Sequence, residues 1–278
     1  MKLSKPYRKL RRRFASWARN GARLVVDPQF RYQQREKLRL QRLPRYEPGE
    51  TLLLGKPLRF ADAASLLSSY KSIFEQEIYA FRPESSPVIL DCGANIGLAI
   101  LYWKRLFPES VIWGFEPDRD IYELLCWNCD AHDIKDVTLI DKAVWSQETT
   151  IQFKKEGADA GHIVNKEEHT TEPLITIETV RLRDYLDQRI DLLKLDIEGA
   201  EVEVLLDCEQ YLDSVNHLFV EFHSYIGRRQ QLDEILRILS RVGFRYHLQP
   251  EHVARQPFIQ RLNSAGMDQR LNIFAYRV

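Results

Sequence analysis

No run of the sequence approaches the roughly 20 apolar residues that a membrane-spanning helix needs, and no internal repeat or low-complexity tract is visible. The first absence argues against a bilayer-crossing helix, the second against a solenoid or a fibrous array. Cysteine is scarce, at four in 278 residues. That excludes a disulfide-stapled scaffold and predicts a reducing, cytoplasmic setting. Cys126 and Cys129 form one CxxC in a predicted helix. Without a second pair, this spacing reads as helix packing rather than as zinc or redox chemistry. Net charge is absent too, because 40 basic residues balance 40 acidic ones. The balance is not local. Residues 1–45 hold 15 Lys and Arg against Asp27 and Glu36, a net +13, so the remainder carries −13.

Apolar residues make up 44% of the chain, enough for a substantial core. The charge split predicts a basic N-terminal extension over 1–45 and one domain over 46–278. Tyr7, Leu10, Phe14, Trp17, Gly21 and Leu24 recur at helical spacing, with Arg8, Lys9, Arg11, Arg12, Arg19 and Arg23 on the other faces. A basic amphipathic helix ending near Asp27-Pro28 follows. Two readings of it stand. One is a helix docked on the domain with a solvated basic face; the other is peripheral contact of residues 1–27 with an anionic membrane or an acidic partner. RRRF at 11–14 touches a twin-arginine pattern, but Arg19 and Arg23 interrupt the apolar stretch an export signal needs. An Arg-rich, acid-poor composition suits a transit peptide better.

Turn signals at Pro48-Gly49 and Gly55-Lys56-Pro57 predict a short hairpin within 44–60. Phe60, Ala63, Leu67, Tyr70, Phe74, Ile78 and Phe81 then form a helical stripe that Pro83 stops. From residue 87 strands and helices alternate. Strands are expected at 88–90, 111–116, 137–140, 149–154, 191–196, 218–222, 244–249 and 271–278. Helices are expected at 97–107, 119–131, 199–212 and 229–241, and the polar segment 155–173 reads as a loop. Such alternation predicts an α/β fold, a mostly parallel sheet with helices on both faces.

Ligands of such a sheet sit beyond the C-terminal ends of its strands. VILDCGANIG at 88–97 is a strand, a glycine-bearing loop and a helix start. Gly93 permits the tight turn, Gly97 lets the helix pack closely, and the exposed N–H groups of that helix start favour an anion. The loop is not the G-x-G-x-x-G of dinucleotide sites, because Asn95 holds the middle glycine position. Asp91 adds a carboxylate that repels phosphate but suits an ammonium or a sulfonium. S-adenosylmethionine carries both cations, one carboxylate and no phosphate, so it fits better than NAD. Glu116, at the end of the next strand, can accept hydrogen bonds from both ribose hydroxyls of an adenosine.

VILDCGANIG, GFEPD at 114–118 and LLKLDIEGAE at 192–201 together resemble the FkbM family of S-adenosylmethionine-dependent methyltransferases. The resemblance spans about residues 72–249. It implies a class I, Rossmann-like methyltransferase fold, a seven-stranded sheet whose last strand runs antiparallel. It implies O-methylation of a hydroxyl on a small metabolite, sugar or glycan. By position, Asp91, Gly93, Ala94, Asn95 and Gly97 would cradle the methionine half, Glu116 and Pro117 would hold the ribose, and Asp141 to Ala143 would flank the adenine. Glu77 and Tyr79, in the helix entering the domain, would close over the methionine end.

An alcohol is a weak nucleophile while protonated, so a base or a metal must assist. Asp196, Glu198, Glu201, Glu221 and His223 are expected to gather at one rim of the sheet. Asp196 would lie beside the transferring methyl, His223 is the expected general base, and Lys194 could stabilise a developing alkoxide. The alternatives are structural: Glu198 and Glu201 at a helix N-terminus, Glu221 paired with Lys194, and His223 as a hydrogen-bonding residue. No metal is expected, although Asp196, Glu221 and His223 would suit Mg²⁺ or Mn²⁺. A non-catalytic module that binds S-adenosylmethionine and an NAD-dependent oxidoreductase are the competing functions. Nucleic acid is not an expected partner.

Overall fold

The computed structural model describes residues 27–154, 162–163, 174–260, 263 and 266–278. The expected helix before Asp27 and most of the polar segment 155–173 lie outside the described residues. Seven strands form the central sheet: β3 (Val88–Cys92), β4 (Val111–Phe115), β5 (Val137–Ile140), β10 (Ile190–Leu195), β11 (Val215–Tyr225), β12 (Arg245–Pro250) and β13 (Met267–Tyr276). Their order is β12-β13-β11-β10-β3-β4-β5. All neighbours run parallel except at β13, which is antiparallel to β11 and β12. This is the expected class I topology. IDLLKL makes the middle strand because all six of its residues are buried, as a parallel strand covered on both faces requires.

Both faces are covered. Helices α5 (Glu201–Cys208) and α6 (Leu232–Arg241) pack on one, with Leu90, Leu193, Leu195 and Val220 beneath them. Helices α2 (Ala63–Tyr70), α3 (Leu98–Leu106) and α4 (Arg119–Ala131) pack on the other, over Ile89, Ile112, Leu192 and Phe219. Consecutive strand residues serve opposite cores, the period of two that a pleated strand imposes. Cys129 is buried in the second core and all four cysteines are free, so the CxxC is helix packing.

Several elements differ from the sequence expectation. Asp27-Pro28, read as a helix end, opens α1 (Pro28–Leu40): the Asp27 carboxylate accepts from Phe30 N at 3.0 Å and Pro28 takes the first turn. Leu40 of α1 lies in the second core. The stripe 60–81 is not one helix. Phe60 closes a hairpin of β1 (Gly49–Thr51) and β2 (Leu58–Phe60), Asp62 caps α2, and a π-helical turn at Lys71–Glu75 follows. Glu77 then has a φ of 54° and turns the chain out of the helix, so Glu77 and Tyr79 lie in a turn. Leu174–Arg181 forms β9, which sequence reasoning missed. It joins β6 (Ala143–Trp145), β7 (Thr150–Lys154) and β8 (His162–Ile163) in a second sheet of order β6-β9-β7-β8.

Candidate functional site

The loop leaving β3 is held from both sides. Gly93 and Ala94 N–H groups donate to Phe115 O of β4, and Asp196 N donates to Cys92 O. Gly93 has a φ of +86°, and a Cβ there would fall 1.9 Å from Asp196 O. Only glycine fits, because the backbones after β3 and β10 meet at that point. Asn95 takes the left-handed region at a φ of 48° and its side-chain oxygen accepts from Ile96 N. Gly97 fills a position where a Cβ would strike Leu125 of α4.

Asp91 behaves differently from its expected role. Its carboxylate is fully buried beneath the loop, 3.0 Å from Lys194 Nζ, which is its neighbour in register on β10. Apart from Lys194 it has no polar partner among the described residues. Lys194 also donates to Gly93 O at 2.8 Å and lies 3.3 Å from Asp196. Burial opposes the lysine's charge, but the carboxylates of Asp91 and Asp196 prevail and hold its pKa well above the ordinary range. Burial raises Asp91 and Lys194 opposes that rise. Lys194 therefore favours its charged form, and it holds Gly93 O and Asp196 from behind the cleft wall, which it does not itself line.

Glu116 follows β4 and faces the cleft. Its two oxygens accept from Asn95 N and Asp118 N, each at 2.9 Å. Burial pushes its pKa up to about 7 against those two hydrogen bonds. Pro117, Ala143, Val144 and Ile121 continue the same wall, and Tyr79 closes the opposite side. Tyr79 is pinned there: its carbonyl accepts from Trp103 Nε1, and its ring packs edge-on to Phe219 at 4.9 Å. Glu77 and Asp141 are exposed and do not line the cleft; Asp141 instead lies 3.6 Å from Arg119.

The wall is acidic. Asp62, Glu116, Asp118, Asp196, Glu198, Glu221 and Glu251 line it, against Arg270 as the one basic residue among those described. Such a surface fits a ligand with an ammonium and a sulfonium and repels a pyrophosphate. A carboxylate beside a tight glycine turn matches an adenosine ribose.

Asp196, Glu198, Glu221 and His223 do converge, as the parity of β11 predicts. His223 is buried and does not itself line the cleft. Its Nδ1 is 2.9 Å from Glu201 Oε1, an oxygen that also accepts from Gly199 N. Its Nε2 faces Glu198 at 3.5 Å and Glu221 at 3.7 Å. Burial works against its charge, but Glu198, Glu201 and Glu221 outweigh this and raise its pKa well above the ordinary range. The same carboxylates would favour any cation at Nε2, a proton or a metal ion, and His223 stands behind them rather than on the cleft wall. Burial also raises Glu198 to about 7 and Glu221 to about 8. Glu221 pairs with Arg270 at 3.1 Å, not with Lys194. Glu198 has a φ of 54°, backbone strain placed at the cleft edge.

Sequence reasoning missed Arg270 and Asn272 of β13, which face the cleft beside the rim. They pair with His223 and Glu221 across β11 and β13, so parity on the last strand was the available signal. It also missed Ser65, Ser69 and Ser72, hydroxyls that α2 and its π turn place along the cleft.

The sequence matches the Methyltransferase FkbM domain over residues 91–246. It is 30% identical over 203 residues to Methyltransferase sdnD of Sordaria araneosa, covering 60% of this chain and 78% of that protein. It is 25% identical over 166 residues to 2-O-methyltransferase NoeI of Sinorhizobium fredii, covering 53% and 68%. It is 28% identical over 163 residues to Hexuronic acid methyltransferase AglP of Haloferax volcanii, covering 56% and 63%. With the sheet order and the acidic cleft, these matches make the chain a member of the FkbM family of methyltransferases, with S-adenosylmethionine as its cofactor.

Proposed function

We propose that the protein transfers a methyl group to a hydroxyl oxygen of a small hydroxylated metabolite, sugar or glycan. The carrying observation is that one cleft joins the glycine loop and Glu116 on one side to the rim acids Asp196, Glu198 and Glu221 on the other. The names of two relatives, a 2-O-methyltransferase and a hexuronic acid methyltransferase, support a sugar as acceptor.

S-adenosylmethionine supplies an electrophilic methyl on a sulfonium. The chain's part is placement and proton removal. Glu116 would accept the ribose hydroxyls, the backbone of 93–95 would border the methionine half, and Ala143 and Val144 would flank the base. Asp196 lines the same cleft as this wall and belongs to the rim acids. The acceptor hydroxyl would sit against Glu198 and Glu221, and a rim carboxylate would take its proton as its oxygen receives the methyl group and the neutral thioether leaves. Alignment alone contributes on the order of 7–11 kcal/mol to reactions of this type. The serine row on α2 offers hydrogen bonds to further hydroxyls, as a polyol requires.

The test is incubation with methyl-labelled S-adenosylmethionine and a panel of mono- and oligosaccharides, uronic acids and polyols. The expected product gains one methyl, appears with S-adenosylhomocysteine in equal amount, and survives mild alkali as an ether does. Release of the label by mild alkali would mark a carboxyl ester and contradict hydroxyl methylation.

A further inference from the structure

We propose that Asp196, Glu221 and His223 form a divalent-cation site for Mg²⁺ or Mn²⁺ at the acceptor end of the cleft. Each offers a ligand atom, and these atoms lie within 4.8 Å of one another. His223 supplies a second, independent observation. Its Nε2 is buried, points into this group and has no hydrogen-bond partner among the described residues. Glu198 and Glu221 oxygens stand off from it at 3.5 and 3.7 Å. A proton shared with a carboxylate would draw the pair to about 2.8 Å. Two donors each about 2.1 Å from a common ion stand roughly 3.0–3.6 Å apart. The spacing of His223 and Glu221 is close to that of an ion's ligands and too long for a hydrogen bond.

The surroundings are those a metal ligand needs. Glu201 holds Nδ1 at 2.9 Å, which fixes the tautomer and presents Nε2 to the cluster. Arg270 orients Glu221 at 3.1 Å and Lys194 orients Asp196 at 3.3 Å. These two cations are shared with Glu251 and Asp91, so the rim acids remain short of positive charge. One imidazole with two carboxylates is a hard donor set, suited to Mg²⁺ or Mn²⁺. This inference deepens the methyl-transfer reading and rests on it only for the ion's task, which is to polarise the acceptor hydroxyl.

The test is Mn²⁺ titration of the full-length protein, followed by electron paramagnetic resonance without donor or acceptor. Wild type is expected to bind one Mn²⁺ per chain, with nitrogen coupling from a directly bound imidazole and displacement by Mg²⁺. His223→Ala should abolish the nitrogen coupling, and Glu221→Gln should weaken binding at least tenfold. Each variant is checked for native circular dichroism. Wild type that binds S-adenosylmethionine but takes up no Mn²⁺ would overturn the metal site and leave the methyltransferase reading standing. Unchanged nitrogen coupling and affinity in folded His223→Ala would overturn it equally.

Discussion

Gly93 shows how closely one residue sets this site. Its φ of +86° and the 1.9 Å approach to Asp196 O leave no room for a methyl group. Gly93→Ala should lower stability by more than about 2 kcal/mol and weaken donor binding, read by denaturant melts and calorimetry. Gly55 has a similar φ of +88° but nothing within 4 Å of its would-be Cβ. Gly55→Ala should cost only about 1–2 kcal/mol, the strain of left-handed backbone alone. Equal losses would show that the contact with Asp196 does not matter. Glu116 supplies a pH signature. Its pKa of about 7 means that its acceptor form predominates above pH 7 and fades below. Affinity for S-adenosylmethionine should fall about tenfold between pH 8 and pH 6, and Glu116→Gln should bind weakly without that slope. A wild-type slope unchanged in Glu116→Gln would assign the titration elsewhere. Gly93, Asn95 and Glu116 were legible in the sequence because glycine freedom and a strand-end acid are local features. The states of Asp91 and His223 were not, because they depend on Lys194 of another strand and, for His223, on Glu198 and Glu201 after β10 together with Glu221 on its own strand.

At the scale of elements, the ion pair of Asp91 and Lys194 couples β3 to β10. Both side chains are buried, so removing one strands the other. Lys194→Met should cost about 3–5 kcal/mol. Asp91→Leu combined with Lys194→Met should recover part of that, since an apolar pair leaves no buried charge. A double variant as unstable as the sum of the singles would contradict the coupling. Most elements were legible because apolar runs and turn residues recur at the period of a buried parallel strand. The stripe 60–81 misled for a physical reason. Apolar spacing reports burial, and Phe74, Ile78 and Phe81 are packed against one core while only Ala63–Tyr70 is α-helical. The strand LITIETVR was missed because its partners, β6 and β7, lie about thirty residues upstream.

For the whole molecule, the basic arm and the acidic domain are separate questions. Among the described residues no helix is long and apolar enough to cross a membrane. The +13 of residues 1–45 leaves both readings of the arm, docking on the domain with a solvated basic face and contact with an anionic surface, and the second predicts binding to anionic vesicles. Deleting residues 1–26 should abolish binding to anionic vesicles and leave donor affinity unchanged, measured by vesicle sedimentation and calorimetry. Equal sedimentation of the truncated protein would contradict that role. Leu40, by contrast, is fully part of the second core, and Leu40→Ala should cost about 2–5 kcal/mol.

The most direct test of the central claim is calorimetric titration of S-adenosylmethionine into wild type and Glu116→Ala at pH 8. One site per chain, weakened at least tenfold in the folded variant, is the predicted result. Folded wild type that takes up no S-adenosylmethionine, or equal affinity in both proteins, would contradict the assignment of this cleft.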